Sequence, residues 1–307
     1  MQAYDLRETD SMGDHQTPET PLPPDPRRAW ARLDRATRDA AYDNNGAVPD
    51  AAAQAAARNA ASAAYRAAHP AALDIPYAPA PRTAFDLYPA ADPAAPCLVF
   101  IHGGYWQRNS RDLFACLAEG PAAAGWSVAM PGHTLAPEAS LTRIVAEIGL
   151  ALDWLAEHGP AQGIAGPLVL AGWSAGAHLA AMQLHHPAVA AGLAISGVYE
   201  LGPIRDTGLN EALRLTDAEV AGLSPLRRPV VAKPLAIAYG TAERPALVHD
   251  ARDFHALRSA HHAPGDLLPV AGAEHFSILN ELRRPGGALV RAARDLVAGL
   301  SDGGPSA

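Results

Sequence analysis

Apolar and polar positions alternate along this chain in blocks, with short, almost wholly apolar runs separated by longer stretches of helical period. The runs are "CLVFIH" (97–102), "GWSVAM" (125–130), "PLVLAGW" (167–173), "VAAGLAIS" (189–196), "PLAIAYG" (234–240) and "DLLPVAG" (266–272). Each is four to eight residues long and bounded by Gly, Pro or Asp, as expected of strands buried on both faces. Helices are predicted between them at roughly 110–124, 140–158, 175–186, 246–260 and 276–299. Two earlier runs, "LDIPYAP" and "RTAFDLYPA", read as strands around a Pro-rich turn. Strand–helix alternation with apolar strands predicts an α/β protein, a mostly parallel central sheet with helices on both faces.

The uncharged stretch from His158 to Tyr199 is long enough to suggest a membrane span, but Pro160, Pro167, Pro187 and repeated glycines cut it into short pieces. It reads instead as the centre of the sheet. The flanks differ from this body. Residues 1–26 are polar and Pro-rich and are expected to form a disordered tail. Residues 27–72 form an N-terminal helical extension, with helices at 27–43 and 50–68 joined by the turn "DNNGAVPD". Residues 73–300 form the catalytic body and 301–307 a tail. Within the body, 199–231 breaks the rhythm and is expected as a small cap-like insertion over the C-terminal edge of the sheet, where such folds place their sites.

Composition narrows the function. The net charge is −8 and Lys233 is the only lysine, so the basic footprint of a nucleic-acid binder is absent. The two cysteines, Cys97 and Cys116, make no CxxC pair and are expected to be reduced and structural. The charged N-terminus lacks the apolar core of a signal peptide, which points to the cytoplasm. There is no clustered metal-ligand spacing, no GxGxxG and no GxxxxGK[ST]. No metal and no cofactor is expected, and the expected partner is a small-molecule substrate, with neither nucleic acid nor membrane. A homo-oligomer is compatible with the sequence.

The chemistry lies in Gly172-Trp173-Ser174-Ala175-Gly176, a G-x-S-x-G sequence that follows one apolar run and opens a helical one. The turn is so tight that small residues must flank the serine, which lifts Ser174 Oγ clear and leaves the Ala175 amide free to meet a substrate oxygen. A serine needs a base, and in this architecture acid and histidine follow in that order, each after a late strand. Of thirteen histidines, His275 in "VAGAEHFSIL" stands just past the last predicted strand. Glu243, three residues past Gly240, is the expected acid; Asp250 and Asp253 fall on the following helix, and Glu274 adjoins the histidine. "HGGYW" (102–106) matches an HGG oxyanion loop, with Gly103, Gly104 and Tyr105 lending backbone amides beside Ala175.

Together these motifs resemble the α/β-hydrolase fold over about 73–300, and HGGYW resembles the kynurenine formamidase (arylformamidase) branch alongside HGG-type esterases. "SAGAHLA", "SGVYELGPI", "HFSIL" and "AYDNNGAVPD" are also similar to that branch. The resemblance puts the nucleophile on Ser174, the histidine on His275 and the acid on Glu243, where animal members have Asp, and it puts His133 where relatives often have Tyr. It implies hydrolysis of an N-formyl arylamine such as N-formylkynurenine, through a formyl-enzyme. A short-chain carboxylesterase and another catabolic amide hydrolase use the same machinery, and a non-catalytic binding protein would show a damaged triad. Tyr105, Trp106 and Tyr199 are candidates to shape the substrate pocket, with the Tyr-Trp pair expected to narrow its acyl side toward one carbon.

Overall fold

The computed structural model describes residues 30–302, so the N-terminal tail and residues 303–307 lie outside the described residues. Eight strands form one sheet: β1 Ile75–Pro76, β2 Ala84–Tyr88, β3 Cys97–Ile101, β4 Ser127–Pro131, β5 Leu168–Trp173, β6 Val189–Ile195, β7 Leu235–Gly240 and β8 Leu267–Val270. Their order is β1-β2-β4-β3-β5-β6-β7-β8. β1 and β2 are antiparallel to their neighbours and every pair from β4 to β8 is parallel. The apolar runs thus become the parallel strands, and the two early runs form the antiparallel edge.

The helices are α1 Arg35–Tyr42, α2 Asn44–Ala47, α3 Ala51–Ala68, α4 Glu119–Ala123, α5 Leu141–His158, α6 Ala175–Gln183, α7 Gly202–Arg205, α8 Asn210–Leu213, α9 Asp217–Leu223, α10 Pro245–Ala260, α11 Asn280–Arg283 and α12 Ala288–Asp302. Side chains alternate through the sheet. Cys97, Val99 and Ile101 face a core shared with α5, α6 and α10, while Leu98 and Phe100 face one shared with the 111–118 segment and α12. Both cysteines are free and buried.

Four boundaries differ from the sequence expectation. The helix expected at 276–299 is broken, because Pro285-Gly286-Gly287 separates α11 from α12 and Gly286 has φ +69°. α12 runs on to Asp302, so helix enters the tail expected from residue 301. The "DNNGAVPD" turn contains α2, capped by the Asp43 carboxylate accepting from the Gly46 N–H at 2.9 Å. Of the helix expected at 27–43, residues 27–29 lie outside the described residues, and in the described part the α-helix spans Arg35–Tyr42.

The N-terminal extension shares the body's core, with Trp30 and Tyr42 inside the larger apolar cluster. α3 docks on the 111–118 segment, where Arg58 and Ser62 both donate to the Leu113 carbonyl. A buried charge also ties it down. Asp86, fully buried in β2, accepts from Arg66 of α3 at 2.8 Å and from Arg111 at 3.1 Å. Removing either guanidinium would leave that carboxylate short of its partners in a dry site. Among the described residues no helix is long and apolar enough to cross a membrane.

Candidate active site

Ser174 sits between β5 and α6 with φ +57° and ψ −120°, a conformation that costs a non-glycine residue roughly 1–3 kcal/mol. The flanking glycines make it attainable. A Cβ on Gly176 would lie 2.1 Å from the Ile101 carbonyl oxygen, and one on Gly172 2.1 Å from that of Gly176. A serine before a helix ordinarily caps it, but Ser174 makes no side-chain cap bond. Its hydroxyl is turned to His275 Nε2, 3.1 Å away.

His275 Nδ1 lies 3.0 Å from Glu243 Oε2. A carboxylate only accepts, so Nδ1 carries the proton and Nε2 is left to accept from Ser174 Oγ. Glu243 Oε1 in turn accepts from the Gly240 N–H at 2.7 Å and from Ser196 Oγ at 2.5 Å. The histidine loop is braced from two sides. Trp173 Nε1 donates to the His275 carbonyl at 2.9 Å with its ring against the imidazole, and Glu274 accepts from the Phe276 and Ser277 amides. Burial pushes the Glu274 carboxyl upward, but these bonds, with others from Ser277 and Gln54, outweigh it and hold it below its ordinary value. Asp250, the other acid on this side, accepts from the Tyr199 and Glu200 amides and fixes the start of the insertion instead.

The HGGYW loop crosses in front of the serine. A Cβ on Gly103 would meet the Trp173 carbonyl oxygen at 2.6 Å and Ser174 Cβ at 2.9 Å, so only glycine lets the loop come this close. Gly104, Tyr105 and Trp106 all have positive φ, at +125°, +50° and +58°. The loop's carbonyls are engaged: Gly103 O accepts from Asn109 Nδ2, and Gly104 O accepts from the Gln107 and Arg108 amides. Among the described residues, the N–H groups of Gly104, Tyr105 and Ala175 have no acceptor.

A cleft of about 350 Å³ opens over Ser174 and His275. Its lining includes Gly104, Tyr105 and Trp173, Tyr42–Asn45 from the N-terminal extension, Thr207–Leu209 from the insertion, and Arg58 and Arg108. Tyr105 OH donates to the Tyr42 carbonyl at 2.6 Å and accepts from Asn44 Nδ2 at 3.2 Å, which joins extension to loop. Burial, reinforced by the negative charges of Asp43 and Glu243, pushes its phenol pKa upward against the Asn44 bond, so it stays neutral.

Two expected pocket residues lie elsewhere. Trp106 is 1% exposed, packed edge-on to His178, and Tyr199 is fully buried and stacked on Phe254 at 4.6 Å; neither lines the cleft. Trp106 has φ +58°, and its side chain is turned from the loop into the core. His133, the departure noted before the LAP run, also lies outside the cleft lining, stacked on His102 at 4.5 Å. Sequence reasoning missed Trp173, Ser196, Arg58, Arg108 and the cleft role of Tyr42–Asn45. Only the last carried a signal, the Asp-Asn-Asn-Gly run.

The sheet order, the parallel strands and the serine turn define an α/β-hydrolase. A family profile described as BD-FAE matches residues 85–189. Kynurenine formamidase from Danio rerio is 28% identical over 228 residues, covering 68% of this chain and 76% of the relative, and that from Salmo salar is 27% identical over the same shares. A solved structure from Silicibacter sp., provisionally called a thioesterase, is 29% identical with TM-score 0.73, covering 83% of this chain and 98% of its own. Esterase B from Lactobacillus rhamnosis shares the fold at TM-score 0.62 and 19% identity, covering 84% and 96%. The chain is thus a hydrolase of the α/β-hydrolase fold. Within that class it is similar to the kynurenine formamidases.

Proposed function

We propose that the protein is a serine hydrolase that cleaves an N-formyl arylamine, of which N-formylkynurenine is the example set by its relatives, to the free amine and formate. The observation that supports this most is the unbroken line from Ser174 Oγ through His275 to Glu243, facing three backbone amides that have no acceptor among the described residues. His275 takes the proton as Ser174 Oγ attacks the formyl carbon. The amides of Gly104, Tyr105 and Ala175 receive the oxyanion; loss of one such donor ordinarily costs about 3 kcal/mol of transition-state stabilisation. Protonated His275 then gives its proton to the departing arylamine nitrogen, which leaves poorly as an anion. Water, deprotonated by the same histidine, attacks the formyl-enzyme and releases formate. Glu243 stabilises the imidazolium throughout. The free, buried cysteines are in keeping with a cytoplasmic setting.

The esterase relatives make short acyl esters the competing substrate. Steady-state rates with N-formylkynurenine and p-nitrophenyl acetate decide between them. A higher kcat/KM for the formamide is expected, with both activities abolished in Ser174→Ala. A strong ester rate with the formamide untouched would refute the formamidase reading, and residual turnover in Ser174→Ala would refute the serine mechanism.

A further inference from the structure

The dipeptide Ile195-Ser196, at the end of β6, touches both ends of the proposed triad. The Ile195 carbonyl accepts the Ser174 N–H at 2.8 Å, and the Ser196 hydroxyl donates to Glu243 Oε1 at 2.5 Å. Ser196 is fully buried and has φ +52°, a region that a non-glycine residue seldom occupies without a compensating contact. Its own N–H donates to the Ala238 carbonyl at 2.8 Å, which pins it to β7 two residues before Gly240, the other donor to the same oxygen. Glu243 has three side-chain torsions and stands on a loop. Two donors on Oε1 fix its carboxylate plane, so that Oε2 alone is left to meet His275 Nδ1.

We infer that Ser196 is a positioning residue for catalysis: its hydroxyl holds the Glu243 carboxylate in the one orientation that orients His275. This rests on the triad reading above, and it concerns a residue that touches no substrate. Hydrogen bonds to a charged group are stronger than neutral ones, so Ser196→Ala should lower kcat about 10- to 100-fold with little change in KM. Ser196→Gly, which tolerates the positive φ, should lose as much kcat while keeping the melting temperature, separating the lost hydroxyl from backbone strain.

The deciding measurement is the double mutant. Glu243→Gln alone should slow turnover by about 10⁴-fold. In that background Ser196→Ala should change kcat less than twofold, because the group it acts through is already gone. A full further loss in the double mutant, or near-normal kcat in both single serine variants, overturns the inference. A near-normal rate for Glu243→Gln overturns the triad reading itself and is scored first, so the two failures are told apart.

Discussion

At the scale of single residues, the Tyr105-Trp106 pair shows how one motif divides its labour. Tyr105 faces the cleft but spends its hydroxyl on the Tyr42 carbonyl and Asn44, so it holds the N-terminal extension against the HGGYW loop. Trp106 packs against His178 beneath the loop and is 1% exposed. Trp106→Ala is therefore a cavity mutation and not a change of acyl pocket. It should destabilise the fold by about 3–5 kcal/mol, lowering the melting temperature by roughly 5–8 °C for a chain of this size. Acyl chain-length preference should be unchanged. Calorimetry and a p-nitrophenyl ester series from acetate to octanoate check both halves, and admission of longer chains without loss of stability would restore Trp106 to the pocket.

At the scale of elements, the crossing of α6 over the start of the HGG loop depends on a missing side chain. Gly176→Ala would force a Cβ to 2.1 Å from the Ile101 oxygen and 2.7 Å from the His102 oxygen, both backbone atoms that cannot swing aside. The variant should be insoluble or melt far below the parent. Gly222→Ala, in α9 with nothing within 4 Å of the added methyl, should instead gain about 0.5–1 kcal/mol. Thermal melts of the pair test whether glycine serves packing in one helix and merely costs entropy in the other. The parallel strands, the serine turn and the positions of His275 and Glu243 were legible in the sequence because each is a local pattern: an apolar run, a glycine-flanked serine, a polar residue just past a strand. The broken C-terminal helix was legible too, in Pro285-Gly286-Gly287, but the helical period on both sides masked it. Ser196 and Asn44 were not, since their partners lie 47 and 61 positions away. A serine after a strand and an asparagine in a turn look the same whether or not a distant group meets them.

At the scale of the whole molecule, three buried histidines tie stability to pH. Burial is the main cause in each case. It holds His133 and His178 at about 4 against the upward pull of the carbonyls of Thr134 and Leu223, and it holds His102 well below its ordinary 6.5, helped by neighbouring His133, Arg82 and Arg111 and opposed by the Gly103 carbonyl. The folded state keeps these rings neutral, whereas the unfolded chain protonates them below pH 6.5. Between pH 6.5 and 4 the unfolded state therefore binds more protons, and stability falls as pH falls. His133 and His178 alone should contribute a slope of roughly 3 kcal/mol per pH unit in the middle of that window, about 1.4 from each. Glu219 and Glu274, both held below their ordinary 4.5, lose their contribution only from about pH 4.5 downward, so above that pH the slope belongs to the histidines. Urea unfolding at intervals from pH 7.5 to 4.5 measures the slope. His133→Phe keeps a ring against His102 but has nothing to protonate, and it should flatten the curve by about one proton's worth while leaving the pH 7.5 activity, which the proposed mechanism assigns to His275, within a few-fold of the parent. An unchanged slope in that variant would mean that the buried stack is already hydrated enough to take up a proton in the folded state.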